Sequence, residues 1–98
     1  MARVLLVSRD LLFGSKVEGA LRAAGHEVVR DGPADVAVVD LTQGEVPAPP
    51  PEMPALAFYS HVEQEIRRRA EDLGYDLVVP RSRMNREGAA LVDGLLRR

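Results

Sequence analysis

The sequence predicts an open, mainly parallel α/β sheet of five short strands. Three observations predict it: five aliphatic runs of strand length, helical periodicity between several of them, and a chain of 98 residues that is 46% hydrophobic and 29% charged, the balance of one small domain spanning residues 1–98. Arg3 to Ser8 (R-V-L-L-V-S) reads as a strand buried on both faces, and therefore as a central one. After Asp10, Phe13, Val17, Ala20, Leu21 and Ala24 recur at helical spacing up to Gly25, where a left-handed cap needs no Cβ. His26 to Arg30 is a short second strand, and Asp35 to Leu41 (D-V-A-V-V-D-L) a third. Five of the seven prolines then fall between Gln43 and Pro54, so this stretch is read as a semi-extended surface connector without helix or ladder bonds.

Ala55 to Tyr59 is the fourth strand. Ser60-His61-Val62-Glu63 matches a capping box, which predicts a helix from His61 with Val62, Ile66, Ala70 and Leu73 as its apolar stripe, closed by Gly74. Glu63 with Arg67, and Glu65 with Arg69, are spaced as i,i+4 ion pairs. Asp76 to Val79 forms the fifth strand, and Ser82 is placed to cap a final helix with Met84, Gly88, Leu91, Val92, Leu95 and Leu96 mainly inward.

A net charge of −2 gives no overall attraction to nucleic acid, and the Arg67-Arg68-Arg69 run is surrounded by Glu63, Glu65, Glu71 and Asp72, which reads as a solvated helix face. With no cysteine and two isolated histidines, neither a disulfide framework nor a closed zinc site is expected. No metal and no cofactor are predicted. The apolar runs are too short for a membrane span and no leader pattern opens the chain, so a cytoplasmic protein without membrane contact is expected. His61 is read as a solvated first-turn residue and His26 as a residue that follows a helix cap.

In an open sheet of this kind, functional groups gather at the carboxyl ends of the strands. Those ends hold Ser8, Arg9 and Asp10, then Asp40, then Tyr59 and Ser60, then Pro80, Arg81 and Ser82. With the stretches L-L-V-S-R-D, A-A-G-H-E-V, D-V-A-V-V-D-L, P-A-L-A-F-Y-S-H and G-Y-D-L-V-V-P-R-S, nearly the whole chain resembles a response-regulator receiver domain. That resemblance implies a flavodoxin-like fold with strand order 2-1-3-4-5 and a role in bacterial two-component signalling. It puts Asp40 at the phosphoacceptor position, Ser8 and Arg9 where the family carries a magnesium-holding acidic pair, Asp10 beside them, Tyr59 or Ser60 at the Ser/Thr position, and Arg81 in place of the lysine. A guanidinium repels the divalent ion that a carboxylate would hold. The departures therefore imply a degenerate, noncatalytic receiver in which Arg9 or Arg81 neutralises Asp40. The weighed alternatives are a carboxylate that only caps neighbouring backbone, and a working phosphoacceptor.

Two helices of the receiver pattern are missing. Only D-G-P-A joins Arg30 to Asp35, and the proline-rich stretch stands where a third helix would be, which leaves about three helices. A short antiparallel hairpin of the second and third strands is a competing topology. Because the strands stay apolar on both faces, a bare sheet face is expected to dock another chain. A homodimer through Val4, Leu6, Val36, Val38, Val62 and Ile66 is predicted, with another signalling protein as a further partner.

Overall fold

The computed structural model describes residues 2–60 and 62–98. Five strands, β1 (Arg3–Val7), β2 (Glu27–Val29), β3 (Val36–Asp40), β4 (Ala55–Tyr59) and β5 (Leu77–Pro80), form one sheet in the order β2-β1-β3-β4-β5. Every neighbouring pair is parallel, so β2 and β3 are not a hairpin; β1 lies between them. Three helices, α1 (Leu11–Ala23), α2 (Gln64–Leu73) and α3 (Arg81–Leu96), complete the expected flavodoxin-like α/β fold.

Handedness assigns the helices to faces. The chain moves one way across the sheet from β1 to β2 and the other way from β4 to β5, so right-handed crossovers put α1 and α2 on opposite faces. Strand alternation then sends Val4, Leu6, Val36 and Val38 toward α1 and α3, where they pack with Phe13, Leu21 and Val92 and are at most 1% exposed. These four residues therefore cannot line a dimer interface, contrary to the sequence expectation. Ile66 is also buried, on the sheet-facing side of α2.

The opposite face is the one that lost cover. It is small: Ala37, Ala55 and Ala57 let α2 approach through Ile66 and Ala70, and Val46 and Met53 of the proline-rich stretch pack against the same cluster. Tyr75 ties that stretch down by donating its hydroxyl to the carbonyl of Pro47 at 2.8 Å. Burial pushes the Tyr75 phenol up to about 12, so it stays a donor throughout the neutral range. At the β1 margin Val7 stays 40% exposed.

The link from Arg30 to Asp35 succeeds because β2 is only three residues long. Six residues reach at most ~21 Å, enough to run back along a ~10 Å strand while passing β1. Gly32, at φ +87, makes the turn, and Asp35 docks on β1 by accepting the Arg3 N–H at 2.8 Å. Glu18 on α1 holds Arg22 and Arg30 at 2.9 Å each, and hydrogen bonds from Arg22 and then Arg30 keep its carboxyl below the usual range.

Two helix starts differ from the sequence expectation. The helix after β4 begins at Gln64, with Glu63 at the cap position and no side-chain cap bond. The Glu63 N–H donates instead to the Ser60 carbonyl at 2.8 Å, a turn that delays the helix and leaves Val62 exposed at 71%. Val62 thus does not join the apolar stripe, while the predicted start at His61 lies outside the described residues. With Glu63 outside the helix, the ion pairs formed are Arg67 with Glu71 and Arg68 with Glu65. The last helix starts at Arg81 directly after Pro80, so Ser82 sits inside it and caps nothing.

Candidate functional site

The parallel sheet brings the carboxyl ends of β1, β3 and β4 to one end of the molecule. Asp40 closes β3 there and is 8% exposed. Its Oδ2 accepts the Ser8 hydroxyl at 2.7 Å; its Oδ1 accepts both the Thr42 hydroxyl at 2.6 Å and the Thr42 N–H at 2.8 Å. The Thr42 contacts form an Asx-type turn, a local closure that an aspartate two residues before the donor makes readily. Ser8 Oγ in turn accepts the Asp10 N–H at 3.2 Å. Gly14 backs this serine: a Cβ there would stand 3.3 Å from Ser8 Oγ.

Asp10 is turned away from Asp40. Its Oδ1 accepts the Phe13 N–H at 3.0 Å and caps α1, which uses the carboxylate to satisfy a helix end. Neither arginine reaches Asp40 either, which corrects the expected charge pair. Arg9 bonds both oxygens of Glu45, at 3.1 and 3.0 Å, in an exposed pair of the kind worth only ~0–1 kcal/mol. Arg81 begins a helix, and its guanidinium lies 4.4 Å over the Phe13 ring, which itself packs on Phe58 with centroids 5.2 Å apart. A nearly buried carboxylate needs donors in contact, and two hydroxyls and one backbone N–H already supply them.

The sequence-predicted residues therefore divide between two clefts. Ser8, Arg9 and Asp40 share one of about 260 Å³ with Val7, Gln43, Glu45 and Pro47. Ser60 and Arg81 share another of about 390 Å³ with Phe13, Lys16, Ser82 and Asn85. Tyr59 is buried in the α2-side core, so of the two candidates for the Ser/Thr position only Ser60 opens onto a cleft. Thr42, Glu45 and Lys16 were not singled out from the sequence. Thr42 was legible as the second residue after a strand-end aspartate; Glu45 and Lys16 carried no local signal.

The receiver resemblance implies a magnesium ion at Asp40. The donor set does not fit one: both carboxylate oxygens already accept hydrogen bonds, Asp10 caps a helix, and a cation occupies the flanking position. Among the described residues, no group of three or more His, Cys, Asp or Glu is placed to hold a metal. No helix among them is long and apolar enough to cross a membrane.

No family model matches the sequence, and no curated protein matches it. Solved structures do match the fold. The signal receiver domain of NarL from Mycobacterium tuberculosis superimposes with a TM-score of 0.73 at 20% identity, over 98% of this chain and 96% of that one. The receiver domain of Francisella response regulator 1452 gives 0.74 at 13% identity, over 99% and 98%. A fusion carrying the trimeric coiled coil of yeast Spc42 gives 0.80 at 15% identity, over 98% of this chain and 77% of that one. Likeness at these identities is likeness of fold, and it agrees with strand order, crossover hand and helix placement: the chain has the fold of response-regulator receiver domains, with no helix in the links that follow β2 and β3.

Proposed function

We propose that this protein is a noncatalytic receiver-fold interaction module of bacterial signal transduction, acting in the cytoplasm without phosphorylation of Asp40. One observation carries the reading: both oxygens of Asp40 are engaged by Ser8 and Thr42, and the other charged groups in its cleft, Arg9 and Glu45, are paired with each other. Phosphoryl transfer to a carboxylate depends on electrostatic stabilisation and a free nucleophilic oxygen. Asp40 spends three of its roughly four acceptor sites on these bonds, and the cation in its cleft is held by Glu45 rather than aimed at an incoming phosphoryl group.

The surface suits a protein partner better than nucleic acid, since Arg67 and Arg68 are paired with Glu71 and Glu65 on α2. Except for Leu73 at the end of α2, the exposed large apolar side chains instead follow the carboxyl ends of β1 and β4: Leu11 and Leu12 are 86% and 87% exposed, with Val7 and Val62. A second copy of the chain or a signalling partner docks on this end. Light scattering at micromolar concentration is expected to report a species heavier than the 10.7 kDa monomer, which Leu11→Ser with Leu12→Ser returns to monomer mass.

Incubation with acetyl phosphate and magnesium, followed by intact-mass measurement, tests the central point. The expected result is an unchanged mass. An added phosphate that disappears in Asp40→Asn would establish the other reading, a two-component receiver phosphorylated on Asp40.

A further inference from the structure

Two clefts between α1 and α3 share a wall. The larger, about 390 Å³, is lined by Phe13, Lys16, Ser60, Arg81, Ser82 and Asn85, and its size suits a small organic molecule. The smaller, about 110 Å³, lies among Val17, Leu21, Met84 and Gly88, and Lys16 and Asn85 line both. A volume of that size takes roughly three or four groups the size of a water molecule. Away from the wall that Lys16 and Asn85 share, its lining offers such groups carbon and sulfur rather than hydrogen-bond partners.

The larger cleft brings together two cations that no carboxylate neutralises among the described residues; Arg69, Arg97 and Arg98 also lack such a partner but do not line it. Most arginines of this chain lie within 4 Å of a carboxylate. Lys16 and Arg81 have no such partner among the described residues, and no acidic residue lines the cleft. Arg81 stacks its face on Phe13, 4.4 Å from the ring centroid, which orients the guanidinium and leaves its N–H edge for an acceptor. The side chains of Ser60, Ser82 and Asn85 likewise make no hydrogen bond to the described residues. Two unpaired cations and three uncommitted polar groups thus face one opening beside an apolar slot.

We propose that this double cleft binds a small phosphate monoester with an aliphatic body, its phosphate on Lys16 and Arg81 and its body in the slot beside Met84 and Gly88. The charges match: a phosphate monoester carries about −1.5 to −2 at neutral pH, against two single positive charges. The site shares no lining residue with the cleft around Asp40, so it goes beyond the interaction reading and does not depend on it.

Amide shifts of the full chain, followed by NMR during titration with butyl phosphate, pentanoate and inorganic phosphate, test the site. Butyl phosphate is expected to perturb Lys16, Arg81, Ser82 and Asn85 saturably, and to bind tighter than inorganic phosphate by about fourfold for each methylene buried. Pentanoate, with one charge, binds more weakly than butyl phosphate. Lys16→Met with Arg81→Met weakens all three at least tenfold. Gly88→Ala separates head from body: its Cβ would stand 2.8 Å from Met84 Cε, a flexible end that must move within the slot. The variant is expected to reduce butyl phosphate to the affinity of inorganic phosphate, with inorganic phosphate unchanged. Should the double variant not fold, Asn85→Asp, which puts a negative charge on the shared wall, carries the same test. Absence of saturable shifts at these residues, charge variants that bind like wild type, or pentanoate binding as tightly as butyl phosphate each overturns the proposal.

Discussion

Ser8 donates its hydroxyl to Asp40 Oδ2 across 2.7 Å, joining the end of β1 to the end of β3 where the receiver resemblance places a pair of acids facing an acid. A hydroxyl and a carboxylate attract without a metal between them. Together with Thr42 on the other oxygen, the serine fastens the loop after β1 to the loop after β3.

That fastening has a measurable worth. Asp40→Ala leaves the Thr42 N–H and two hydroxyls without their acceptor and is expected to cost about 1–3 kcal/mol, whereas Ser8→Ala removes one bond and costs about 1 kcal/mol. Urea unfolding measures both. Equal stability of Asp40→Ala and wild type would remove the fastening role.

Tyr75 makes stability depend on pH at the alkaline end. Its folded pKa of about 12 lies above the ordinary 10, so its contribution is complete below pH 10 and is lost as pH rises through about 12. Wild type is therefore expected to lose stability between those values, and Tyr75→Phe to lose less while starting about 1 kcal/mol lower for want of the bond to Pro47. Unfolding curves collected across that range compare the slopes.

His26 holds the amino end of β1 to α3. Its Nδ1 accepts the Ala2 N–H at 3.3 Å, which leaves Nε2 as the protonated nitrogen, and Nε2 donates to Asp93 Oδ1 at 2.8 Å. Asp93→Ala is expected to cost about 1 kcal/mol and to speed amide exchange at Ala2, because the ring loses the partner that orients it. Unchanged exchange there would show that the ring holds its place unaided.

Phe13 and Arg81 separate packing from charge. Phe13→Ala opens a hole against Phe58 and Met84 and is expected to cost about 3–5 kcal/mol. Arg81→Ala removes an exposed stacking partner and costs about 0.5–1 kcal/mol. Thermal unfolding that reverses this order would mean the guanidinium, and not the ring, organises the α1 to α3 contact.

Much of the architecture was legible because aliphatic runs and helix-ending glycines act locally: Ala55–Tyr59 is the fourth strand as read, and Gly25 and Gly74 take positive φ past the helix ends, whereas the capping role of Asp10 was not read from the sequence. The capping box at Ser60 was misread for the same reason. Its spacing was right, but the backbone spent the Glu63 N–H on a turn before the helix began. At the site, Asp40 and Ser8 were identified correctly as neighbours, while the partner of each cation was not, since Glu45 is 36 residues from Arg9 and Phe13 is on another element from Arg81.

The sequence by itself determined the number of strands and the two helix-free links, because composition, periodicity and proline placement constrain the chain residue by residue; the strand order and the departure from an acidic pair beside Asp40 came from the receiver resemblance, with a hairpin of the second and third strands left open. Only the tertiary structure decided which sheet face each strand residue joins, that the proline-rich stretch covers the thinned face, and that hydroxyls rather than guanidinium groups satisfy Asp40. Those outcomes depend on crossover handedness and on competition among distant donors for the same acceptor, and neither is encoded in any local stretch.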